Sequence, residues 1–147
     1  MAAPDTLMAF NLQIVTPERE VYNSQVVSVS LPGVEGSFGV LTGHAPLVAA
    51  LEAGSLDITD AQGRDSHMAI GGGFFQVMDD QAMVLADSAE RAEDIDVSRA
   101  QESADRARQR LGGQLETGLD LQRDRATEAL RRAEARMRVA QKLSGVR

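Results

Sequence analysis

The chain has 147 residues, 43% apolar and 25% charged, with a net charge of −7, which suits one or two small domains. Cysteine is absent, so disulfides, thiolate metal sites and thiol nucleophiles are excluded, and with 3% aromatics and no Trp the chain lacks the makings of a base-stacking platform. The charge is uneven: residues 1–89 hold two basic residues (Arg19, Arg64) against eleven acidic ones, and residues 90–147 hold thirteen against eleven. An acidic first part repels phosphate backbones, so no nucleic-acid partner is expected.

Met1 to Phe10 has no basic residue and carries Asp5, the pattern of neither a secretory nor a mitochondrial leader, so the expected compartment is the cytoplasm. Residues 1–7 are expected as a loose tail. No stretch approaches the roughly 18 apolar residues of a membrane span.

Residues 8–87 read as strands. Phe10, Leu12 and Ile14 alternate with Asn11, Gln13 and Val15. Val27, Val29 and Leu31 alternate with Ser28 and Ser30, and Leu56 and Ile58 with Asp57 and Thr59. Met68 and Ile70 flank Ala69, Val77 follows Phe75, and Met83 and Leu85 flank Val84. Period two places one set of side chains on a core face. Turn signals separate the runs: Pro32-Gly33, Thr42-Gly43, Asp60 to Gly63, Gly71-Gly72-Gly73 and Asp79-Asp80. Many short strands at this spacing predict an antiparallel β-sandwich or flattened barrel over 1–89.

The period changes near residue 88. Ala100, Ala104, Ala107 and Leu111 form one helical stripe, capped by Asp94 or Asp96 and ended by Gly112-Gly113. Ala126, Leu130, Ala133, Met137 and Ala140 form a second stripe, so 90–147 reads as an antiparallel two-helix hairpin. Alanine stripes bury little area, so the hairpin is expected to be marginal alone and able to leave its docking site.

No motif carries catalysis. His44 and His67 are far apart in sequence with no nucleophile motif, so neither a triad nor a metal pair is in view. Gly71-Gly72-Gly73 lacks the Lys-Ser/Thr of a phosphate loop and is expected before a strand rather than a helix N-terminus. Asp57, Asp60, Asp65, Asp79 and Asp80 read as solvated turn and strand carboxylates rather than a glycosidase pair. Gly33 to Gly39 reads as a tight turn or an exposed partner loop.

Arg99 and Arg106 share one helix face, as do Arg132 and Arg136. Four guanidiniums on facing helices could grip a polyphosphate, with Asp96 or Glu90 accepting from a ribose or an amino group. The alternative is a helix pair laced by ion pairs to Glu102, Asp105, Glu128 and Glu134.

The order of Asn11-Leu-Gln-Ile-Val-Thr-Pro-Glu18, Glu35-Gly-Ser-Phe-Gly-Val-Leu-Thr-Gly-His-Ala-Pro-Leu47, Gly71-Gly-Gly-Phe-Phe-Gln-Val77, Val84-Leu-Ala-Asp-Ser-Ala89 and Ile95-Asp-Val-Ser-Arg-Ala100 resembles the epsilon subunits of bacterial and chloroplast F-type ATP synthases, over roughly residues 8–143. The resemblance implies a non-catalytic rotor subunit of the central stalk that couples proton flow to ATP synthesis. It implies a gamma subunit and a ring of c subunits as partners, and a peripheral place on the cytoplasmic face of the inner (plasma) membrane. Thr16 and His44 would lie toward gamma, and Glu35 and Ser37 toward the ring; family members often have an acidic residue where Ser37 stands.

It also implies that the hairpin either folds on the β domain or extends to the catalytic alpha and beta subunits and blocks hydrolysis. No cofactor is required, but some members hold ATP in the folded hairpin through Ile-Asp-x-x-Arg-Ala and later arginines. That motif stands here as Ile95, Asp96, Arg99 and Ala100, with Arg106, Arg132, Arg136 and the acidic Glu90 matching the rest. A free-standing ATP sensor built on the same arginines is the rival reading, and a small hydrolase using turn carboxylates a further one.

Overall fold

A computed structural model describes residues 9–117 and 120–143, and the side chains of these except 114–117 and 120–122; the tail expected at 1–7 lies outside the described residues. The strands are β1 (Phe10–Val15), β2 (Glu20–Gly33), β3 (Gly36–Leu41), β4 (Leu47–Asp60), β5 (Asp65–Met78), β6 (Gln81–Ala86) and β7 (Ala89–Arg91). A 3-10 turn at Ala92–Asp94 leads into helices α1 (Val97–Thr117) and α2 (Asp120–Leu143).

The strand order is β1-β6-β5-β4-β2-β3, and β1 pairs back onto β2, closing a barrel. The edge of β2 is shared: β1 takes Glu20 to Val26 and β3 takes Ser28 to Gly33. Every pairing is antiparallel except the β1–β6 seam, which is parallel. Closure leaves few unpaired edge groups to attract another chain.

Inside lie Phe10, Leu12 and Ile14 of β1, Leu56 and Ile58 of β4, Met68, Ile70, Phe75 and Val77 of β5, and Ala82, Val84 and Ala86 of β6. Phe38 meets the Phe75 ring edge-on at 5.8 Å.

Three sequence expectations change here. In β2 the inward residues are Val26, Val29 and Leu31, with Val27 turned aside. Two residues of β2 (Val26 to Ser28) stand against one step of β4 (Asp60 to Thr59), and this bulge resets the alternation. In β6 the core face is Ala82, Val84 and Ala86, while Leu85 is exposed. Gly71-Gly72-Gly73 joins no strands: it lies inside β5, paired to β4 through Gly71–Ala53 and Gly73–Leu51. Gly72 and Gly73 take φ of +110° and +140°, and a Cβ on Gly73 would sit 2.0 Å from the Leu85 carbonyl oxygen. Glycine is required for this bend and close approach.

Asp79 and Asp80 form the β5–β6 turn as expected, with φ of 52° and 59°.

In the hairpin, Ala100, Ala104 and Ala107 of α1 are fully buried, as are Ala126, Ala133, Ala135 and Val139 of α2. Ala126 and Ala133 belong to the expected stripe; Ala135 and Val139 lie on the opposite side of the helix. The helix α2 is thus a middle layer, packed on α1 by one stripe and on β4, β5 and the 3-10 turn by the other. With only residues 118–119 between them, helices packed side by side must run antiparallel. Gly112-Gly113 does not end α1, which continues to Thr117. Neither glycine takes the left-handed conformation that a helix stop uses, and a glycine in helical conformation costs about 1 kcal/mol without breaking the ladder.

Candidate functional site: an arginine-lined hollow between barrel and hairpin

The site begins with a cap. Asp96 Oδ1 accepts the Arg99 backbone N–H at 3.1 Å, satisfying one free donor of the first turn of α1. Of the two caps expected, Asp96 does the work. This fixes the start of α1, and so the places of Arg99 and Arg106 two turns apart. On the other side, β7 pairs with β5 through Ala89–Ile70, Glu90–Ala69 and Arg91–Met68, holding Glu90 on the barrel wall that α2 covers.

Glu90, Asp96, Arg99, Arg106 and Arg136, with Glu102 and Ser103, line one hollow of about 170 Å³. An adjoining hollow of about 270 Å³ shares Glu90 and Arg136 and adds Arg132, Ser88 and Gly71. Of the eight residues assigned to ATP from sequence, six therefore converge. The other two, Ile95 and Ala100, line neither hollow. Ile95 packs on Ala69, Ala92 and Val139, and Ala100 is fully buried in the hairpin; both hold the frame that carries the charged residues.

Inside the hollow, Arg136 Nε lies 3.9 Å from Glu90 Oε1, a loose part-exposed pair, and Arg106 Nη2 donates to Ser103 Oγ at 3.2 Å. Among the described residues an inter-helix ion pair is made by a different arginine: Arg108 reaches Glu134 at 3.4 Å, and within its own helix Asp105 at 3.3 Å. Guanidiniums held by one weak partner each keep donors for an anion. Ser103, three residues before Arg106, was readable from helical spacing. Ser88 and Gly71 were not, because they meet α2 only through the tertiary fold. A Cβ on Gly71 would stand 3.0 Å from Arg132 Cδ and 2.4 Å from Ser88 Oγ, so glycine leaves the room in which Arg132 lies.

The residues expected to face partners fall in two places. Glu35, Ser37 and His44 line one shallow surface of about 620 Å³ with Phe38 and Val48, at the β2–β3 and β3–β4 ends of the barrel. The His44 Nδ1 donates to the Ala45 carbonyl at 2.6 Å. The neighbouring Gly43 N–H donates to Asp80 Oδ1 at 2.8 Å, tying this loop to the β5–β6 turn. Thr16 is apart and buried, its hydroxyl donating to the Arg19 carbonyl at 3.2 Å within its own turn. Among the described residues no cluster of His, Asp or Glu is arranged to hold a metal, and no helix is long and apolar enough to cross a membrane.

A closed small barrel followed by a helical hairpin that shares a charged hollow with it defines a two-part binding subunit. Residues 9–92 match the beta-sandwich domain of the ATP synthase Delta/Epsilon chain, and residues 93–141 its long alpha-helix domain. The ATP synthase epsilon chain of Nitratidesulfovibrio vulgaris is 50% identical over 131 residues, covering 89% of this chain and 95% of that one. That of Syntrophomonas wolfei is 44% identical over 133 residues, 90% of this chain and 95% of the other. A chain of the Euglena gracilis mitochondrial ATP synthase (OSCP/F1/c-ring) has the same fold, with a TM-score of 0.75 at 21% identity over 94% of this chain and 82% of its own. The chain belongs to the Delta/Epsilon chain family of ATP synthases, on the epsilon side.

Proposed function

We propose that this chain is a rotor subunit of a proton-translocating ATP synthase whose hairpin is a nucleotide-sensitive restraint on hydrolysis. The barrel is the coupling platform: the surface of Glu35, Ser37 and His44 meets the gamma subunit and the c-ring, on the cytoplasmic face of the membrane. The Euglena fold neighbour belongs to an assembly that contains F1 and a c-ring, which supports a place beside the ring. The hairpin, with its slight basic excess, complements an acidic catalytic subunit when extended.

One observation carries the regulatory part. The hollow takes Glu90 from the barrel, Asp96 from the cap of α1, Arg99 and Arg106 from α1 and Arg136 from α2, so it exists only while the hairpin is folded and docked. ATP held there, phosphates on the arginines and a polar edge on Glu90 or Asp96, stabilises the docked state by linkage. A ligand at about a hundred times its Kd adds roughly 2.7 kcal/mol to the form that binds it. Plentiful ATP then keeps the hairpin away from the catalytic head, and scarce ATP frees it to stop hydrolysis.

The test is ATP hydrolysis by the catalytic head stripped of this subunit, with the full chain or residues 1–93 added back. Suppression by the full chain alone, relieved by ATP and less so in Arg132→Ala/Arg136→Ala, is the expected result. Equal rates with both forms, while both bind gamma, would leave coupling as the only function. A free-standing sensor predicts that the chain isolated from cells carries neither gamma nor ring subunits.

A further inference from the structure

We propose that Lys142 is a ligand-independent latch that holds the hairpin on the barrel through Asp57. The proposal rests on the reading above that the hairpin leaves the barrel, and it concerns what sets the docked population when no nucleotide is bound. The barrel-facing stripe of α2 runs Glu128, Arg132, Ala135, Val139, Lys142, at steps of four, three, four and three. Its middle is two small apolar side chains, resting on Ala69 and Ala92 through Val139. Such a contact gives little area and little specificity of register. The charged end supplies the register.

The Lys142 ammonium donates to Asp57 Oδ1 and to Ser55 Oγ, each at 2.9 Å. Ser55 Oγ donates to the same carboxylate oxygen at 2.9 Å, and His67 Nδ1 donates to it at 2.7 Å. These groups come from β4, β5 and the last turn of α2, 85 to 87 residues apart for the lysine contacts. Lys142 and Asp57 side chains are 37% and 31% exposed, partly shielded rather than free in solvent. A charge-assisted contact in that setting outweighs an ordinary surface pair.

The construction is one-sided in a way that suits release. When α2 lifts, Asp57 keeps two donors, Ser55 and His67, so the barrel is not left with a bare carboxylate. Lys142 returns to water. The penalty that makes a broken buried pair costly is therefore largely absent, and the latch can open without destabilising the barrel. Lys142 is also about 15 Å along the helix from Arg132. Nucleotide and latch thus hold two ends of the same stripe independently.

The test is amide exchange along residues 126–140 of the full chain without nucleotide, for the wild type, Lys142→Met, Asp57→Asn and the pair together. Methionine keeps the lysine stem and removes the charge. Each single variant is expected to speed α2 exchange about threefold to tenfold, the range for such a contact. The double variant should be no faster than the faster single, β1 amides should be unchanged, and high salt should speed wild type more than Lys142→Met, in which only the loose Arg136–Glu90 pair is left to screen. Unchanged α2 exchange in Lys142→Met, or a double variant whose effect is the product of the singles, overturns the latch. Failure of the regulatory reading shows elsewhere: a chain locked by a disulfide in Ala69→Cys/Val139→Cys would then suppress hydrolysis as well as wild type, whatever Lys142→Met does to exchange.

Discussion

The barrel and the hairpin bury side chains equally completely but of very different size. The barrel encloses Phe10, Phe75, Leu12, Ile14, Leu31, Leu56, Ile58, Met68 and Ile70. Among the described residues of the hairpin, Val139 is the largest that is fully buried, and its companions are alanines. Since hydrophobic stabilisation follows the apolar area removed from water, full burial of Phe75 contributes several times what full burial of Ala104 does. One part is held by a core of large side chains, and the other by small ones.

The largest effect should separate the two parts most sharply. Phe75→Ala leaves a cavity beneath Phe38 and is expected to cost about 3–5 kcal/mol, seen as a lower midpoint for the whole chain in chemical denaturation. No alanine substitution in the hairpin should approach it. Val139→Asp tests the other side: it places an unpaired carboxylate against Ala69 and Ala92 and is expected to cost about 2–4 kcal/mol of docking. Proteolysis and amide exchange should then show α2 released while the barrel melts as before. A barrel that fell with it would mean the two parts are one cooperative unit, and the contrast would be wrong.

The same contrast explains what the amino-acid sequence made legible. The change from strands to helices was readable because the apolar period changes from two to three and four; the boundary expected between 89 and 90 falls inside β7, and the first helix begins at Val97. The core of β1 was readable because nothing interrupts its alternation. The core of β2 was misread from Val27 because a bulge is a property of two strands, and one strand's pattern does not contain it. The glycine run was misread for a related reason: glycine marks close approach as often as a turn, and the approaching group, the Leu85 carbonyl, lies on another strand. In the hairpin, one stripe of α2 was visible and the second, Ala135 and Val139, was missed. A middle-layer helix needs two faces, and alanine among arginines gives little contrast on either. The charged residues of the hollow came together because helical spacing alone places Arg99 with Arg106 and Arg132 with Arg136. Ile95 and Ala100 pack in the frame outside both hollows, a placement that a motif alone does not show.

A smaller effect is expected from Gly112→Ala and Gly113→Ala. A Cβ at either position meets nothing within 4 Å, and neither backbone is left-handed. Each change should therefore stabilise α1 by about 0.5–1 kcal/mol through lower unfolded-state entropy, read as slower exchange of α1 amides. Destabilisation instead would show that the helix is interrupted there in solution.

The smallest effect is the pH dependence of docking. Partial burial pushes the Asp57 pKa up, but hydrogen bonds from Lys142, His67 and Ser55 outweigh it and hold the carboxyl below its ordinary value. A group whose folded pKa is depressed contributes stability that is complete above the ordinary value, near 4, and is lost as pH falls through the folded one. The part of α2 protection that Asp57 supplies should therefore be complete above about 4 and decline only below it. Asp60 is also held low, chiefly by the Arg64 backbone N–H, so a global melting curve would mix two titrations. Asp60 sits on the β4–β5 turn, whereas Lys142 ties Asp57 to α2, so exchange of α2 amides separates them. In Lys142→Met one of the strongest lowering contacts is gone, and the Asp57 titration, followed through its carboxyl carbon, should move to higher pH. A titration that stayed put would show that the lysine is not in contact with Asp57 in solution, and the latch would be absent.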